Sequence, residues 1–212
     1  KGAEDSIRAA IEDSGDPFLV ALKLSVAANL IDCEFRERLQ PGFSLKTLLE
    51  EGPGLELAID QSESLRQVAA AASRILFVHE TAGELLFDRL LIETLGKSAG
   101  SVTSVLRSAP SLGGALEADA LDIGLDKVAT LTDPGVDCRG LLLGSSSDKF
   151  IEEYEAADLV IAKGQAAFET LEEASGDSSK EKKAVFFLLR AKCTVIAGEL
   201  GVSPGDCVVE RN

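Results

Sequence analysis

The stretch Arg74–Gly96, RILFVHETAGELLFDRLLIETLG, decides the fold class of this chain. Its first part, RILFV, is a short run of β-branched, aromatic and other apolar residues, which is typical of a buried strand. From Gly83 onward the apolar residues recur at helical spacing until the final glycine, a common helix terminator. The stretch therefore predicts a strand followed directly by a helix, with polar residues between them: His79, Glu80 and Thr81.

The same alternation continues toward the carboxyl terminus. Further strands are predicted at 101–109 (SVTSVLRSA), 126–133 (DKVATLTD), 158–164 (DLVIAKG) and 183–191 (KAVFFLLRA), and helices at 149–157 and 165–175. Strands that alternate with helices require crossover connections, which give a mostly parallel sheet covered on both faces. The sequence therefore predicts an α/β fold of the Rossmann-like, three-layer kind.

The amino-terminal part has a different pattern. Apolar residues recur at helical spacing from Asp5 to Arg38, with a break at Asp16-Pro17, and a short helix is predicted at Leu45–Glu50. A further helix is predicted at Ser62–Ser73, with Ser62 or Ser64 as its cap. We therefore expect a helical segment at 1–72 and an α/β domain at 73–212 that carries the functional site.

Composition excludes several classes of protein. The net charge of −15 argues against general binding of nucleic-acid phosphates, and no apolar run is long enough to cross a membrane. Four cysteines lie far apart without a CxxC pair, and no signal peptide is visible, so we expect reduced thiols in a cytoplasmic protein. The absence of methionine suggests a fragment or a processed chain, and the oligomeric state is not indicated.

The polar residues that follow two strands point to a site at one sheet edge. Open parallel sheets bind ligands beyond the carboxyl ends of their strands, where Glu80 and Lys163 are predicted to lie. Glu80 is placed to hold a metal, and its alternative is a solvated carboxylate. Lys163 is placed to bind phosphate, and its alternative is a structural ion pair with Asp119 or Glu169.

His79 is the only histidine in the chain. It precedes Glu80 directly, so it would supply either a metal-binding nitrogen or a general acid. The alternative is a hydrogen-bonded residue with a structural role. Asn29 and Asp32 lie one helical turn apart, so both would reach the same cleft, and capping or interhelical hydrogen bonding is their alternative. No GxGxxG follows the first strand, which argues against a dinucleotide-binding enzyme.

Four collinear blocks resemble the damage-control phosphatase family, formerly catalogued as domain of unknown function 89. They are GDPFLVALKLSVAANLID, AGELLFDRLLIETL, ADLVIAKGQAAFETL and VFFLLRAKCTVIAGELGVSPGD. The resemblance implies an α/β fold with accessory helices and a divalent metal such as Mg, Mn, Co or Ni. It also implies hydrolysis of small phosphorylated metabolites, for example sugar phosphates. Some members of the family have been linked to carboxyl methylation instead.

The resemblance also implies roles for individual residues. The family's DNAGE motif corresponds to 80–84, so Glu80 and Thr81 would be metal ligands. A second motif, with Asn-Asp-Ala and a later Glu-Asp-Ala, places glycines at 113 and 114 and Asp119 as a further metal ligand. The KGQGNFE motif retains Lys163, Gln165 and Glu169, with alanines at 166 and 167. Substrate would be bound by Asn29, Asp32, Lys163 and Gln165, and catalysis would involve Lys163 and His79.

These replacements leave two functions open. One is a metal-dependent phosphatase of small phosphorylated metabolites. The other is a catalytically degenerate relative that binds a small ligand or a protein partner without turnover, because replacing an aspartate ligand with glycine removes a metal donor. The number of surviving metal ligands separates the two.

Overall fold

The computed structural model describes residues 2–29, 44–96, 100–107, 109–110, 113–136, 138–174 and 183–212. The strands are β1 (Leu57–Asp60), β2 (Arg74–Val78), β3 (Ser101–Val105), β4 (Thr130–Thr132), β5 (Leu159–Lys163), β6 (Ala184–Arg190) and β7 (Cys207–Arg211). The helices are α1 (Gly2–Glu12), α2 (Pro17–Ala28), α3 (Leu45–Glu51), α4 (Ser62–Ala71), α5 (Leu85–Leu95), α6 (Glu117–Asp122), α7 (Asp148–Ala156), α8 (Gly164–Ala174) and α9 (Thr194–Leu200).

The seven strands of the described residues form one sheet in the order β1-β7-β6-β5-β2-β3-β4. Every pairing is parallel except the antiparallel pairing of β6 with β7. The predicted α/β class and mostly parallel sheet are therefore confirmed. The predicted strand at 126–133 is shorter than expected, because a 3-10 turn occupies Leu125–Lys127 and only Thr130–Thr132 pairs.

Helices cover both faces of the sheet. Phe77, Ile161 and Phe186 belong to one hydrophobic cluster with residues of α1, α2 and α5. Their neighbours along the strands, such as Val160 and Phe187, belong to a second cluster with residues of α7, α8 and α9. Central strands that are buried on both faces explain the continuous apolar runs in the sequence, and the three-layer arrangement is confirmed.

Two strands were not predicted from the sequence. β1 lies inside the segment predicted to be helical and pairs with β7, which itself follows the last predicted element. β1 is an edge strand in which Leu57 and Ile59 are only half-buried while Ala58 and Asp60 are exposed, so its apolar signal is weak. The segment 1–72 is therefore not wholly helical, and it contributes a strand to the sheet of the α/β part.

The predicted cap of α4 is also corrected. The N-cap residue is Gln61, whose side chain makes no capping hydrogen bond, and the helix begins at Ser62. The Oδ1 atom of Asp60 instead accepts a hydrogen bond from the backbone N–H of Ser62 at 3.0 Å. A carboxylate just upstream therefore replaces the hydroxyl that the sequence suggested.

Helix α2 delivers the first functional residue to the sheet. Asp16 caps its amino terminus by accepting a hydrogen bond from the Leu19 N–H at 3.1 Å, and Pro17 occupies its first turn. Most of its length is buried between the sheet and α5, and the helix ends with Asn29 as its C-cap. Among the described helices, none combines the length and the apolar character that crossing a membrane requires.

Candidate functional site

The site lies at the carboxyl edge of three adjacent strands, β6, β5 and β2. Because these strands are parallel, the residues that follow them meet at one edge: Glu80 after β2, Gln165 after β5 and Lys192 after β6. The end of α2 reaches the same edge and brings Asn29 there. The rule that ligands bind beyond the carboxyl ends of parallel strands therefore placed Glu80 and Lys163 at the same edge of the sheet, as observed.

Asn29 links three separate segments of the chain. Its Nδ2 atom donates to Oε2 of Glu80 at 2.5 Å and lies 3.1 Å from both carboxylate oxygens of Glu84. Its Oδ1 atom accepts a hydrogen bond from the backbone N–H of Arg190 at 3.2 Å. Asn29 is fully buried, so its amide fixes the positions of both carboxylates relative to β6. Asp32, its predicted partner in substrate binding, lies outside the described residues.

Lys163 occupies the centre of a buried ionic network. Its Nζ atom lies 2.8 Å from Oε2 of Glu84 and 2.7 Å from Oδ1 of Asp88. It also donates to the carbonyl oxygen and the hydroxyl of Ser25, at 2.8 and 2.9 Å. The predicted alternative, an ion pair with Asp119 or Glu169, is therefore wrong in its choice of partner. The buried partners are the two acids of α5 and its preceding turn.

The charges of this network support one another. Burial alone would lower the pKa of the Lys163 ammonium, but the carboxylates of Asp88 and Glu84 raise it above its ordinary value. Burial would likewise raise the pKa of Asp88, but Lys163 and His79 hold it below its ordinary value. The lysine is therefore charged, and its positive charge offsets the buried carboxylates of Glu84 and Asp88.

His79 is part of the same network. Its Nδ1 lies 3.0 Å from Oδ2 of Asp88 and its Nε2 lies 3.1 Å from the hydroxyl oxygen of Ser104. The side chain is fully buried and lies beside the ring of Phe77. Both ring nitrogens have partners, so these contacts favour the structural alternative over a metal ligand or a general acid.

Glu80 has a different environment, because part of its carboxylate is uncommitted. Oε2 accepts the hydrogen bond from Asn29 and lies 3.4 Å from Nζ of Lys192. Oε1 accepts no hydrogen bond within the part of the chain that the structure describes. Burial raises the pKa of Glu80, and Glu84 adds to this effect while Lys192 opposes it.

Gly164 makes room for the Glu80 carboxylate. Its φ of +79° lies in the left-handed region, and a Cβ atom at this position would overlap the Glu80 carboxylate. Glutamate reaches one methylene further than the aspartate of the family motif. That extra length brings its carboxylate against the glycine backbone at the start of α8.

Thr81 connects this corner to the glycine segment. Its hydroxyl donates to Oε1 of Glu84 at 2.7 Å, and its backbone forms an antiparallel bridge with Gly114. The N–H of Ala82 donates to the carbonyl of Gly113 at 3.0 Å. The two glycines at the positions of the family's Asn-Asp therefore do lie beside the Glu80–Thr81 corner, although they bring no side-chain donor.

Asp119 is used locally. Its Oδ2 atom accepts a hydrogen bond from the backbone N–H of Leu116 at 3.2 Å, which caps the short helix α6. Within the described ranges, no hydrogen bond or ion pair joins it to Glu80 or Lys163. The contacts that the structure gives Asp119 are those of a capping residue and do not support its predicted role as a metal ligand.

Gln165 supports a lysine that the sequence analysis did not single out. Its Oε1 atom accepts a hydrogen bond from the backbone N–H of Lys192 at 3.2 Å. Its Nε2 atom donates to Oε1 of Glu169 at 3.2 Å and approaches the Sγ of Cys193 at 3.4 Å. Gln165 thus holds the loop after β6 in place, with the ammonium of Lys192 beside Glu80.

Few side chains at this edge are available to bind the divalent metal that the family resemblance implies. Within the described residues, no group of three His, Cys, Asp or Glu side chains is arranged to hold a metal ion. Glu84 and Asp88 are already paired with Lys163, which leaves Oε1 of Glu80 as the available carboxylate oxygen. Mg²⁺ is often held by one or two carboxylates, water and substrate phosphate. The residues therefore fit an open metal site at Glu80, and not a cage of protein ligands.

The chain is similar to proteins of the damage-control phosphatase family. A family described as "Damage-control phosphatase ARMT1-like domain" matches residues 3–208. A damage-control phosphatase of Pyrococcus horikoshii is 35% identical over 199 residues, covering 92% of this chain and 65% of that protein. A damage-control phosphatase of Archaeoglobus fulgidus is 30% identical over 211 residues, covering 94% of this chain and 67% of that protein.

Two further comparisons agree with these. An uncharacterized protein of Methanocaldococcus jannaschii is 33% identical over 187 residues, covering 87% of this chain and 60% of that protein. The crystal structure of a DUF89 family protein from Pyrococcus horikoshii superposes with a TM-score of 0.82 at 31% identity, covering 99% of this chain and 72% of that one. The chain thus spans about 60 to 67% of the length of the curated relatives it matches.

Proposed function

Because this chain belongs to the damage-control phosphatase family with an ARMT1-like domain, we propose that it hydrolyses the phosphomonoester bond of small phosphorylated metabolites. The site is the carboxyl edge of β2, β5 and β6. The main support for the proposal is that Glu80 combines a buried carboxylate with an oxygen that accepts no hydrogen bond from the described residues. Its carboxylate is almost buried, with 8% of the residue exposed, yet one oxygen is uncommitted and the Lys192 ammonium lies beside the other.

The surrounding residues prepare Glu80 for this role. Asn29 fixes one carboxylate oxygen, and Gly164 sets how closely the side chain packs against α8. Glu84 anchors both Asn29 and Thr81, and Lys163 neutralises Glu84. In this proposal Lys163 and His79 are positioning residues. Their polar atoms contact other residues of the chain: Lys163 contacts Ser25, Glu84 and Asp88, and His79 contacts Asp88 and Ser104.

The reaction needs a water molecule to attack phosphorus while the bond from phosphorus to the ester oxygen breaks. The products are inorganic phosphate and the alcohol. Lys192 would offset the negative charge of the phosphoryl group, because its ammonium lies 3.4 Å from Oε2 of Glu80. A divalent metal would be held by Glu80, and when bound it would lower the pKa of a water molecule and offset phosphoryl charge.

The test is phosphatase activity with matched variants. Purified protein is assayed with an aryl phosphate and a panel of sugar phosphates, each with Mg, Mn, Co or Ni added. Glu80→Gln preserves shape but removes the charge, so we expect turnover to fall by about 100-fold or more. Glu56→Gln is the control, because Glu56 is exposed on the loop before β1. Equal turnover of wild type and Glu80→Gln would overturn the assignment of the site.

A second candidate function is favoured by the sparse set of metal donors. Of the three described acids at this site, Glu84 and Asp88 are paired with Lys163 and Glu80 alone keeps an uncommitted carboxylate oxygen, while the neighbouring corner is formed by Gly113 and Gly114. A relative with this site would bind phosphorylated metabolites without turnover. Binding of the same sugar phosphates by calorimetry, in a folded protein that shows no turnover with any metal, would establish this alternative.

A further inference from the structure

Arg190 lies at the edge of the site, and its guanidinium has no hydrogen-bond or ion-pair partner among the residues that the structure describes. It is the last residue of β6 and is half-buried. Its Nε atom is buried and has no hydrogen-bond partner. Among the described residues, its side chain forms no hydrogen bond or ion pair, whereas its backbone N–H donates to Asn29. A partly desolvated guanidinium without an acceptor is costly, so this arrangement is unusual for a residue with a purely structural role.

The charge balance around Arg190 points to an anionic ligand. Lys192 has the Glu80 carboxylate beside it, and Lys163 has both Glu84 and Asp88. Of these three described cations, Arg190 is therefore the one whose charge no carboxylate offsets, in a chain whose net charge is −15. A guanidinium binds carboxylate or phosphate through two parallel hydrogen bonds, and Nε is one of the atoms that forms them.

Arg190 and Lys192 mark two different places. The Lys192 ammonium lies at Glu80, where the ester phosphate would react. The Arg190 guanidinium lies toward the turn between α9 and β7, since a Cβ atom at Gly205 would be 4.0 Å from Nη2. The amide of Asn29 lies between the Arg190 backbone and the Glu80 carboxylate. One anionic group would therefore bind at Lys192 and Glu80, and another at Arg190.

We propose that Arg190 is a specificity-determining residue that binds a second anionic group of the substrate. The preferred substrates would then be small phosphomonoesters that also carry a carboxylate or a second phosphate. This inference rests on the proposed phosphate-ester site at Glu80. It narrows the substrates of that site to phosphomonoesters with a second anionic group. A sugar phosphate without such a group would contact Lys192 and leave Arg190 without a ligand.

The test uses two ligands that differ only at the second group. 3-Phosphoglycerate carries a carboxylate where glycerol 3-phosphate carries a hydroxymethyl group. At fixed ionic strength, we expect wild-type kcat/KM to favour 3-phosphoglycerate by about tenfold or more, because a charged hydrogen-bonded pair is gained. Arg190→Gln should remove this preference through a higher KM for 3-phosphoglycerate, while turnover of glycerol 3-phosphate is retained. Arg190→Lys should restore part of the preference, and Arg74→Gln, exposed at the opposite edge of the sheet, should leave it unchanged.

Failure of this inference can be distinguished from failure of the proposed function. If neither ligand is hydrolysed, calorimetric dissociation constants for the same two ligands replace kcat/KM. A preference for 3-phosphoglycerate that disappears in Arg190→Gln would then still support the second anionic site. Equal values for the two ligands in wild type, or an equal loss for both ligands in Arg190→Gln, would overturn it. Circular dichroism of each variant confirms that the compared proteins are folded.

Discussion

Lys163 and Asp88 form an ion pair in which both side chains are fully buried, with the Nζ atom 2.7 Å from Oδ1. They are 75 residues apart in the sequence and connect the end of β5 to the first turn of α5. Desolvating two charges is costly, and the loss of one partner leaves the other without compensation. Single substitutions in the buried network of Lys163, Glu84 and Asp88 should therefore be strongly destabilising.

The first prediction concerns this pair. Lys163→Met should lower the free energy of unfolding by about 3 to 5 kcal/mol, because Glu84 and Asp88 would remain buried without the ammonium that offsets their charges. Urea denaturation measures the change. Lys149→Met is the control, since the ammonium of Lys149 is exposed and 3.7 Å from Glu153 on the same helix. That change should cost less than about 1 kcal/mol. Similar values for the two variants would contradict the buried network.

The second prediction distinguishes a structural His79 from a catalytic one. His79→Phe would leave Oδ2 of Asp88 and the Ser104 hydroxyl without their partner. Each unsatisfied buried group costs about 1 to 3 kcal/mol, so we expect a marked fall in unfolding free energy. Ser104→Ala removes only the second contact and should cost less. A His79→Phe protein of unchanged stability that has lost turnover would show that the histidine acts on the substrate.

The third prediction uses two glycines with similar backbone conformations. Gly164 and Gly201 have φ values of +79° and +70°, and both would be strained by alanine. Only at Gly164 would the new Cβ atom overlap a carboxylate, that of Glu80, whereas at Gly201 no atom lies within 4 Å. Both substitutions should cost about 1 to 2 kcal/mol in stability through strain. Gly164→Ala should in addition displace Glu80 and reduce phosphatase activity, and equal activity of the two variants would contradict the packing of Glu80 against α8.

The fourth prediction concerns acid stability at the start of α2. The hydrogen bond from Arg66 lowers the pKa of Asp16 against the opposing effect of burial, and the capping bond from Leu19 lowers it further. A carboxyl group whose pKa is lower in the folded state stabilises the protein above its unfolded pKa, and this contribution is lost as the pH falls through the folded value. Asp16→Asn should therefore lower stability at pH 7, and the difference from wild type should shrink toward pH 3.

The size of that effect is limited by solvent. The Asp16 side chain is 40% exposed, so screening by water should keep the ion-pair part below about 1 kcal/mol. Urea denaturation at pH 7, 5 and 3 measures the difference between the two proteins. A difference that stays constant down to pH 3 would show that the carboxylate charge is not responsible.

The sequence predicted the fold where its signals are local. β2, β5 and β6 are continuous apolar runs because both of their faces are buried, and this pattern is visible without a structure. The rule that ligands bind beyond the carboxyl ends of parallel strands correctly grouped Glu80 with Lys163. The same rule, applied to β6, would have added Lys192, which follows that strand by two residues. β1 was missed because an edge strand is only half-buried.

Contacts between distant residues could not be predicted in the same way. The carboxylates of Glu84 and Asp88 lie one helical turn apart, which indicates a shared face but does not reveal that Lys163 lies between them. Asn29 is separated by 51 residues from Glu80 and by 161 from Arg190, and no local pattern encodes such contacts. Asp119 shows the converse, because its carboxylate serves the backbone of its own short helix.

The side-chain amide of Asn29 restrains local unfolding around the site. It holds the end of α2, the turn after β2 and the end of β6 together, so none of these three segments can separate from the others without losing a hydrogen bond to the buried Asn29 side chain. We expect the Arg190 amide proton, which Asn29 accepts, to exchange with solvent only when the whole domain unfolds. A ligand would then meet polar groups that are already fixed, and its binding would not have to order them.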